Sequence, residues 1–447
     1  MIPLSRPAGY PAVLIVAGCS FACGGADRAP GSTGSADTVA ATVAGATGDS
    51  LTLPDGFRAT VFADSLGQAR QIAIRPNGDV YLNSRHRPQD STLAAPSGGF
   101  LIALRDTNQD GRADQIERFG TEGGNGGTGI AVFKNAVYAE AGGAILRFPL
   151  EAEALVPGSE PDTVVSGLVT EGGHTAHPIT IDIEGNLFVN SGSATNACQE
   201  KDRQVGSPGE RPCRELATRA GIWRFSATRT GQRFASAARY ATGIRNAGAL
   251  AINPTDGALY AVQHGRDQLA ENWPKLFDWK RSAELPAEEL LQVVSGGDYG
   301  WPYCYYDPVA RKRVQAPEYG GDGTKAGDCA GKLGPAATFP AHWAPNGMTF
   351  YTGTTFPESY RGGAFIAFHG SWNRAPEPQQ GYNVVFQPFS GGKPSGEYQV
   401  FADGFSGRSK QPATAVHRPS GVAVGPDGAL YISDDTGGRI WRVVGTE

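Results

Sequence analysis

Six stretches of the chain alternate apolar and polar residues in nearly the same phrase. They are "IAIRPNGDVYLNSR" (72–85), "IAVFKNAVYAEAG" (130–142), "ITIDIEGNLFVNSG" (179–192), "LAINPTDGALYAVQHG" (250–265), "MTFYTGTTFPESYRGGAFIAFHG" (348–370) and "SGVAVGPDGALYISDD" (420–435). Alternation on both sides of a Gly- or Asn-containing turn predicts a β-hairpin in each. The turn residues Gly78, Asn135, Gly185, Gly257, Gly363 and Gly428 stand roughly 50 to 105 residues apart, the spacing of four-stranded propeller blades with loop insertions. Apolar runs between the copies, "GFLIALRD", "AILRFPL", "GIWRFSA", "YNVVFQPF" and "RIWRVVG", supply third and fourth strands. The expected fold is all-β, a six-bladed β-propeller, with a pair of β-sandwiches as the rival. A ring must close, and "FRATVFAD" near its start is expected to pair with "RIWRVV" at its end, removing the open edges. The main expected helix is a short one, "AEELLQVV" (287–294).

Composition agrees. The 447 residues include 62 Gly and 31 Pro, which suits a turn-rich β protein, and the length exceeds one two-layer core. A formal charge of −5 with no basic stripe argues against a nucleic-acid partner. Residues 1–18 read as an export signal: Arg6 is followed by the short apolar "AVLIVAGC" ending at Cys19, too short to span a bilayer as a mature helix. "VAGC" resembles the lipobox of bacterial lipoproteins, which implies a lipid anchor on Cys19 and a periplasmic or cell-envelope location; a plain signal peptide is the alternative. Residues 19–50 are expected to be a flexible tether, leaving 51–447 for the propeller. Beyond the leader, Cys198, Cys213, Cys304 and Cys329 allow three pairings. The local pairs Cys198–Cys213 and Cys304–Cys329 are favoured, since each closes a Gly/Pro-rich insertion. No CxxCH occurs, so no c-type haem is attached to this chain.

Candidate chemistry gathers just after or before the recurrent hairpins: Arg85-His86, "EGGHTAHP" (171–178), "GIRNAG" (243–248), His264-Gly265-Arg266-Asp267, "HGSWNR" (369–374) and His417-Arg418. Six of the seven histidines lie there. A lone loop histidine is ordinarily a surface or hydrogen-bonded group; convergence on one rim of a ring favours a site.

The segments "GIRNAGALAINPTDGALYAVQHGRDQL" and "GGDYGWPYC", followed by "HGSWNR" and the terminal repeat, resemble the soluble quinoprotein glucose/sorbosone dehydrogenases from about Leu51 onward. That resemblance implies a propeller binding pyrroloquinoline quinone and Ca2+, a sugar substrate such as an aldose or sorbosone, and a separate electron acceptor (quinone pool or cytochrome). The cofactor's three carboxylates call for arginines, its cation for oxygen ligands, and alcohol oxidation for a base. By position, the resemblance makes His174 the general base, with His177 its local competitor. It makes Arg245 the group that polarises the quinone oxygen, Asn246 a cofactor contact, and the carbonyls of Gly265 and Arg266 calcium ligands. His369, Arg374, Arg418 and Arg85 would meet the cofactor from the rim. One departure is visible: relatives that oxidise glucose orient the base with an Asp after the third hairpin, and here Ser193 stands there. The orienting group and glucose as substrate are therefore open.

"DTNQDGRADQIE" (106–117) satisfies the EF-hand loop pattern through Asp106, Asn108, Asp110, Gly111 and Glu117. Its flanks read as strands, so an acidic hairpin turn and a structural calcium site stand as alternatives. Two rival functions are a lactonase-type propeller hydrolase, disfavoured by the arginine-rich rim, and a tethered, non-catalytic binding propeller.

Overall fold

The computed structural model describes residues 51–85, 98–124 and 126–446; the export signal, the tether, Cys19, Cys23 and His86 lie outside them. Each of the six phrases forms the inner two strands of one sheet. The innermost strands are Ala69–Ile74, Ile130–Phe133, Ile179–Ile181, Ala247–Ile252, Pro345–Phe350 and Pro419–Val424. Each pairs antiparallel with the strand that follows it: Val80–Ser84, Ala136–Ala141, Asn186–Ser191, Leu259–Gln263, Ala364–Phe368 and Leu430–Asp434. Neighbouring innermost strands touch in cyclic order around a central channel, giving the six-bladed propeller. Six apolar clusters fill the spaces between successive blades, including the one between the last blade and the first.

The ring closes as expected. Phe57–Ala63 is the outer strand of the last blade, with Phe57 opposite Gly445 and Val61 opposite Trp441. Both favoured disulfides are present, Cys198–Cys213 and Cys304–Cys329.

One local expectation changes. Residues 287–294 contain no helix: Glu288–Val293 is the third strand of the fourth blade, pairing with Leu259–Gln263 on one side and Ala337–Phe339 on the other. Leu290 and Leu291 are both fully buried, and a short run covered on both faces carries no periodicity to tell strand from helix. In the second and fifth hairpins the left-handed residues are Lys134 and Gly362, next to the turn residues Asn135 and Gly363.

At the channel wall neighbouring backbones come so close that only glycine fits. A Cβ on Gly248 would run into the Pro345 carbonyl of the next blade, and one on Gly421 into Ser433 Oγ at 2.7 Å and Gln71 Cα at 2.9 Å. Gln71 reaches across the channel and donates to the carbonyls of Gly248 (2.9 Å) and Asn346 (3.2 Å).

Candidate active site

Each innermost strand runs away from one mouth of the channel to the tight turn, and its partner returns. Residues preceding the first strand and following the second therefore meet at the same mouth. There they enclose a cavity of about 760 Å3, within the size range of cofactor sites. Before the strands or at their second residue come Gln68, Arg70, Thr128, Thr175, Asn246, Asn346 and Arg418; after them come Arg85, His264, Asp267, His369 and Asp435. Among the described residues the lining holds five arginines, Arg70, Arg85, Arg203, Arg245 and Arg418, against two aspartates, Asp267 and Asp435. Three positive charges are in excess.

His174 lines this cavity. Its backbone is left-handed (φ 45°), a conformation that is costly for a residue with a side chain. Its Nδ1 lies 2.9 Å from the Ser193 carbonyl and 3.0 Å from Ser193 Oγ. That hydroxyl gives its own hydrogen to Thr195 O at 2.7 Å. Both oxygens facing Nδ1 are thus acceptors, so Nδ1 carries the proton. Nε2 then holds a lone pair, and among the described residues it makes no hydrogen bond to protein. Burial, reinforced by the Arg245 guanidinium, lowers the His174 pKa to about 3, which keeps the ring neutral. The preceding Gly192 makes room: a Cβ there would come within 2.6 Å of His174 Cβ and 2.9 Å of Asn246 Oδ1.

His177, the local competitor, is buried with Nδ1 on Asn190 O (2.7 Å) and Nε2 on Val169 O (2.9 Å). Both ring nitrogens are engaged inside the blade, so it offers no base to the cavity.

Arg245 is 3% exposed and tightly held. Nε donates to Asn196 O (3.1 Å), Nη1 to Gly265 O (2.8 Å), and Nη2 to Asn196 Oδ1 (3.0 Å) and Asp267 Oδ2 (2.9 Å). Asp267 also accepts from Arg203 (3.1 Å) and Asn373 (2.7 Å). Burial opposes its charge, but Arg245, His342 and Arg203 outweigh burial and hold its carboxyl well below the usual range. Across the cavity, Asp435 binds His369 Nε2 (2.6 Å) and Arg70. Arg418 donates to the carbonyls of His369 (2.9 Å) and Gly370 (2.8 Å), and Arg85 to Thr175 Oγ1 (3.0 Å).

Of the residues expected from sequence, His174, Arg245, Asn246, His369, Arg418 and Arg85 are brought together here. Arg374 is a correction. It is 1% exposed, and its guanidinium is enclosed by the carbonyls of Ala283, Ala341 and Pro378 and the Glu284 carboxylate, so it cannot reach the cavity. The Gly265 carbonyl expected to face calcium accepts from Arg245, and the Arg266 side chain is buried against Glu318. In the loop 106–117, Asp106 accepts from the amides of Asp110 and Gly111, while Glu117 lies in the strand Gln115–Phe119 and accepts from Gln115. Among the described residues no three His, Cys, Asp or Glu side chains converge on a metal-sized point.

Sequence reading missed Arg70, Arg203, Asn196 and Asp435 as site residues. Arg70 had a usable signal: it occupies the same place before the first phrase as Gly248 and Asn346 do before theirs. Arg203 had none, because it arrives on the disulfide-closed loop.

A family profile described as TrAA12-like matches residues 51–446. A pyrroloquinoline quinone-dependent pyranose dehydrogenase of Coprinopsis cinerea is 29% identical over 169 residues, 32% of this chain and 22% of that protein. The chain spans about half or less of the curated relatives it matches. Among solved structures, the iodide form of a Trichoderma reesei carbohydrate-active enzyme of family AA12 superposes with a TM-score of 0.71 at 18% identity, covering 91% of this chain and 100% of that one. The holo form of the quinone-binding domain of the Coprinopsis cinerea pyranose dehydrogenase gives 0.69 at 20% identity, covering 88% and 97%. At these identities the superpositions establish the propeller.

Proposed function

The chain belongs to the TrAA12-like family, among the soluble quinoprotein sugar dehydrogenases, and on that premise we propose that it oxidises a CH–OH group of an uncharged aldose or sorbosone-like sugar with pyrroloquinoline quinone as cofactor. The observation that carries this is the charge of the cavity: three positive charges in excess match a ligand with three carboxylates. Without a cation that ligand would cancel the excess; with Ca2+ beside it two positive charges remain, so the choice of a neutral sugar rests on the likeness to the pyranose dehydrogenase. Arginine forks suit carboxylates; Arg418, Arg85 and Arg70 come from the last and first blades, across the ring from the Arg245 cluster on the fourth, with His369 beside Arg418.

Bound there, the quinone would supply a two-electron oxidant able to accept the carbon-bound hydrogen as C–OH becomes C=O. The hydroxyl proton passes to Nε2 of His174, the lone pair left by the hydrogen bonds at Nδ1. Arg245 is pinned on three sides and presents a fixed cation to charge developing nearby. Calcium dependence is a finer part of the proposal. A carbonyl oxygen has two lone pairs; Arg245 uses one on Gly265, leaving the other, and the Arg266 carbonyl, for an ion. Two main-chain oxygens are too few for calcium, so the ion would bind together with the cofactor and not before it. Export with a lipid on Cys19, and delivery of electrons to a separate acceptor, complete the proposal.

The test is titration of the purified protein with the quinone, with and without Ca2+, followed by dye reduction on neutral pyranoses and on sugar acids. Saturable binding with turnover on neutral sugars is expected. A protein that binds the quinone and turns over only sugar acids contradicts the substrate assignment; one that binds no quinone contradicts the proposal.

A further inference from the structure

The two groups assigned chemistry above, His174 and Arg245, come from different blades, yet both are gripped by one short turn. Ser193 holds His174 at Nδ1 through its carbonyl and hydroxyl. Three residues later, Asn196 receives Nε and Nη2 of Arg245 on its carbonyl and side-chain oxygens. Its amide nitrogen donates to Asp267 O at 2.9 Å, and its side-chain oxygen accepts from the Asp267 backbone N–H at 2.9 Å. Asn196 therefore fixes the cation and the carboxylate that braces it.

The turn is itself fastened from behind. Glu215 accepts from the backbone amides of Ala194 and Thr195 and from the Thr195 hydroxyl. Thr195 Oγ1 accepts from Cys198 N at 2.9 Å, and Cys198 is bonded to Cys213, two residues before Glu215. Ser193 and Asn196, both fully buried, turn side-chain oxygens toward two residues of the cavity, His174 and Arg245.

We infer that residues 193–198, locked by Glu215 and the Cys198–Cys213 bridge, are a positioning element: Ser193 sets the proton and aim of the base, and Asn196 sets the aim of the cation. This rests on the dehydrogenase reading for its kinetic consequences but not for its structural ones. Ser193 does with two neutral oxygens what a carboxylate would do with a charge. His174 is then oriented without an anion at Nδ1, and the charged groups facing it, Arg245 and Asp267, lie together on the fourth blade, where His264 also faces it.

The test begins on the protein without cofactor, labelled with 15N-histidine, the His174 signals being identified by their loss in His174→Gln. The parent should show His174 neutral at pH 7 with its proton on Nδ1. A proton on Nε2, or an even mixture, would overturn the inference whatever the enzyme's activity. In the loaded protein, Ser193→Ala should lower turnover about 10-fold to 100-fold with KM within about twofold. Cys198→Ser/Cys213→Ser should partly scramble the His174 tautomer and lower turnover about 10-fold. Cys304→Ser/Cys329→Ser should change neither. If both the Ser193 and the Cys198/Cys213 variants keep parental turnover, or both disulfide variants behave alike, the turn is only structural. A parent that shows the Nδ1 proton but binds no quinone contradicts the functional reading and leaves the positioning intact.

Discussion

At one mouth of the channel the innermost strands are entered through Gln68, Arg70, Thr128, Asn246, Asn346 and Arg418; at the other the same strands approach their turns through Ile74, Val132, Ile181, Ile252, Phe350 and Val424. The strands are shared, so the difference lies in how the chain enters and leaves them. At the aliphatic mouth five of the six hairpins turn within a few residues, the fifth through the longer loop 351–363. At the charged mouth the chain arrives from the outer strand of the previous blade and departs into insertions as long as the one spanning residues 192–220. Strand pairing constrains little there, so charge and chemistry can be placed without disturbing the sheets.

The largest effect should come from the base. His174→Gln should lower turnover by about 10² to 10⁴ while leaving quinone binding near parental, and Arg245→Ala should impair both steps. His177→Ala should lose stability through its two abandoned carbonyls, with turnover per folded molecule within a few-fold of the parent. Full activity in His174→Gln would move the chemistry elsewhere on the rim.

Arg374 sharpens the comparison, since it sits close to the charged mouth in sequence yet is buried behind it. Arg374→Met should cost about 1–3 kcal/mol for each carbonyl left unpaired, read from denaturant unfolding, with quinone affinity unchanged. A selective loss of affinity would restore it to the site.

Acid should weaken the charged mouth first. Burial lowers the pKa of His174 to about 3 and that of His264 to about 4, both below the ordinary 6.5. Between those values the unfolded chain binds protons that the folded chain refuses, so stability is complete above pH 6.5 and falls as pH drops toward 3 to 4. Unfolding measured at pH 7 and pH 4.5 should show a smaller drop in His264→Gln than in the parent; equal drops would mean that His264 is protonated in the fold.

The smallest effect is expected at the aliphatic mouth, where Ile181→Thr, a half-buried position away from the charged mouth, should leave turnover and quinone affinity of the folded protein within about twofold.

The sequence carried the blades because pairing repeats, and the same two-residue alternation places Gln68, Asn246 and Arg418 in equivalent positions before their strands. It carried His174 and Arg245 through family likeness at fixed distances from those hairpins. It misread residues 287–294, where burial on both faces erases periodicity, and Arg374, where an arginine beside true site residues is absorbed by main-chain carbonyls. It left the partner of His174 open because a serine that orients an imidazole leaves no charge pattern to read; the 2.9 Å and 3.0 Å contacts at Nδ1 are visible only in three dimensions.

The central claim, that the charged mouth is built for a tricarboxylate quinone, is tested most directly by its binding isotherm in the parent, Arg418→Ala and Ile181→Thr at low and high salt. One quinone per chain should bind, more weakly in high salt and in Arg418→Ala, and unchanged in Ile181→Thr. Affinity indifferent to Arg418 and to salt but lost with Ile181 would place the ligand at the other mouth and contradict the account.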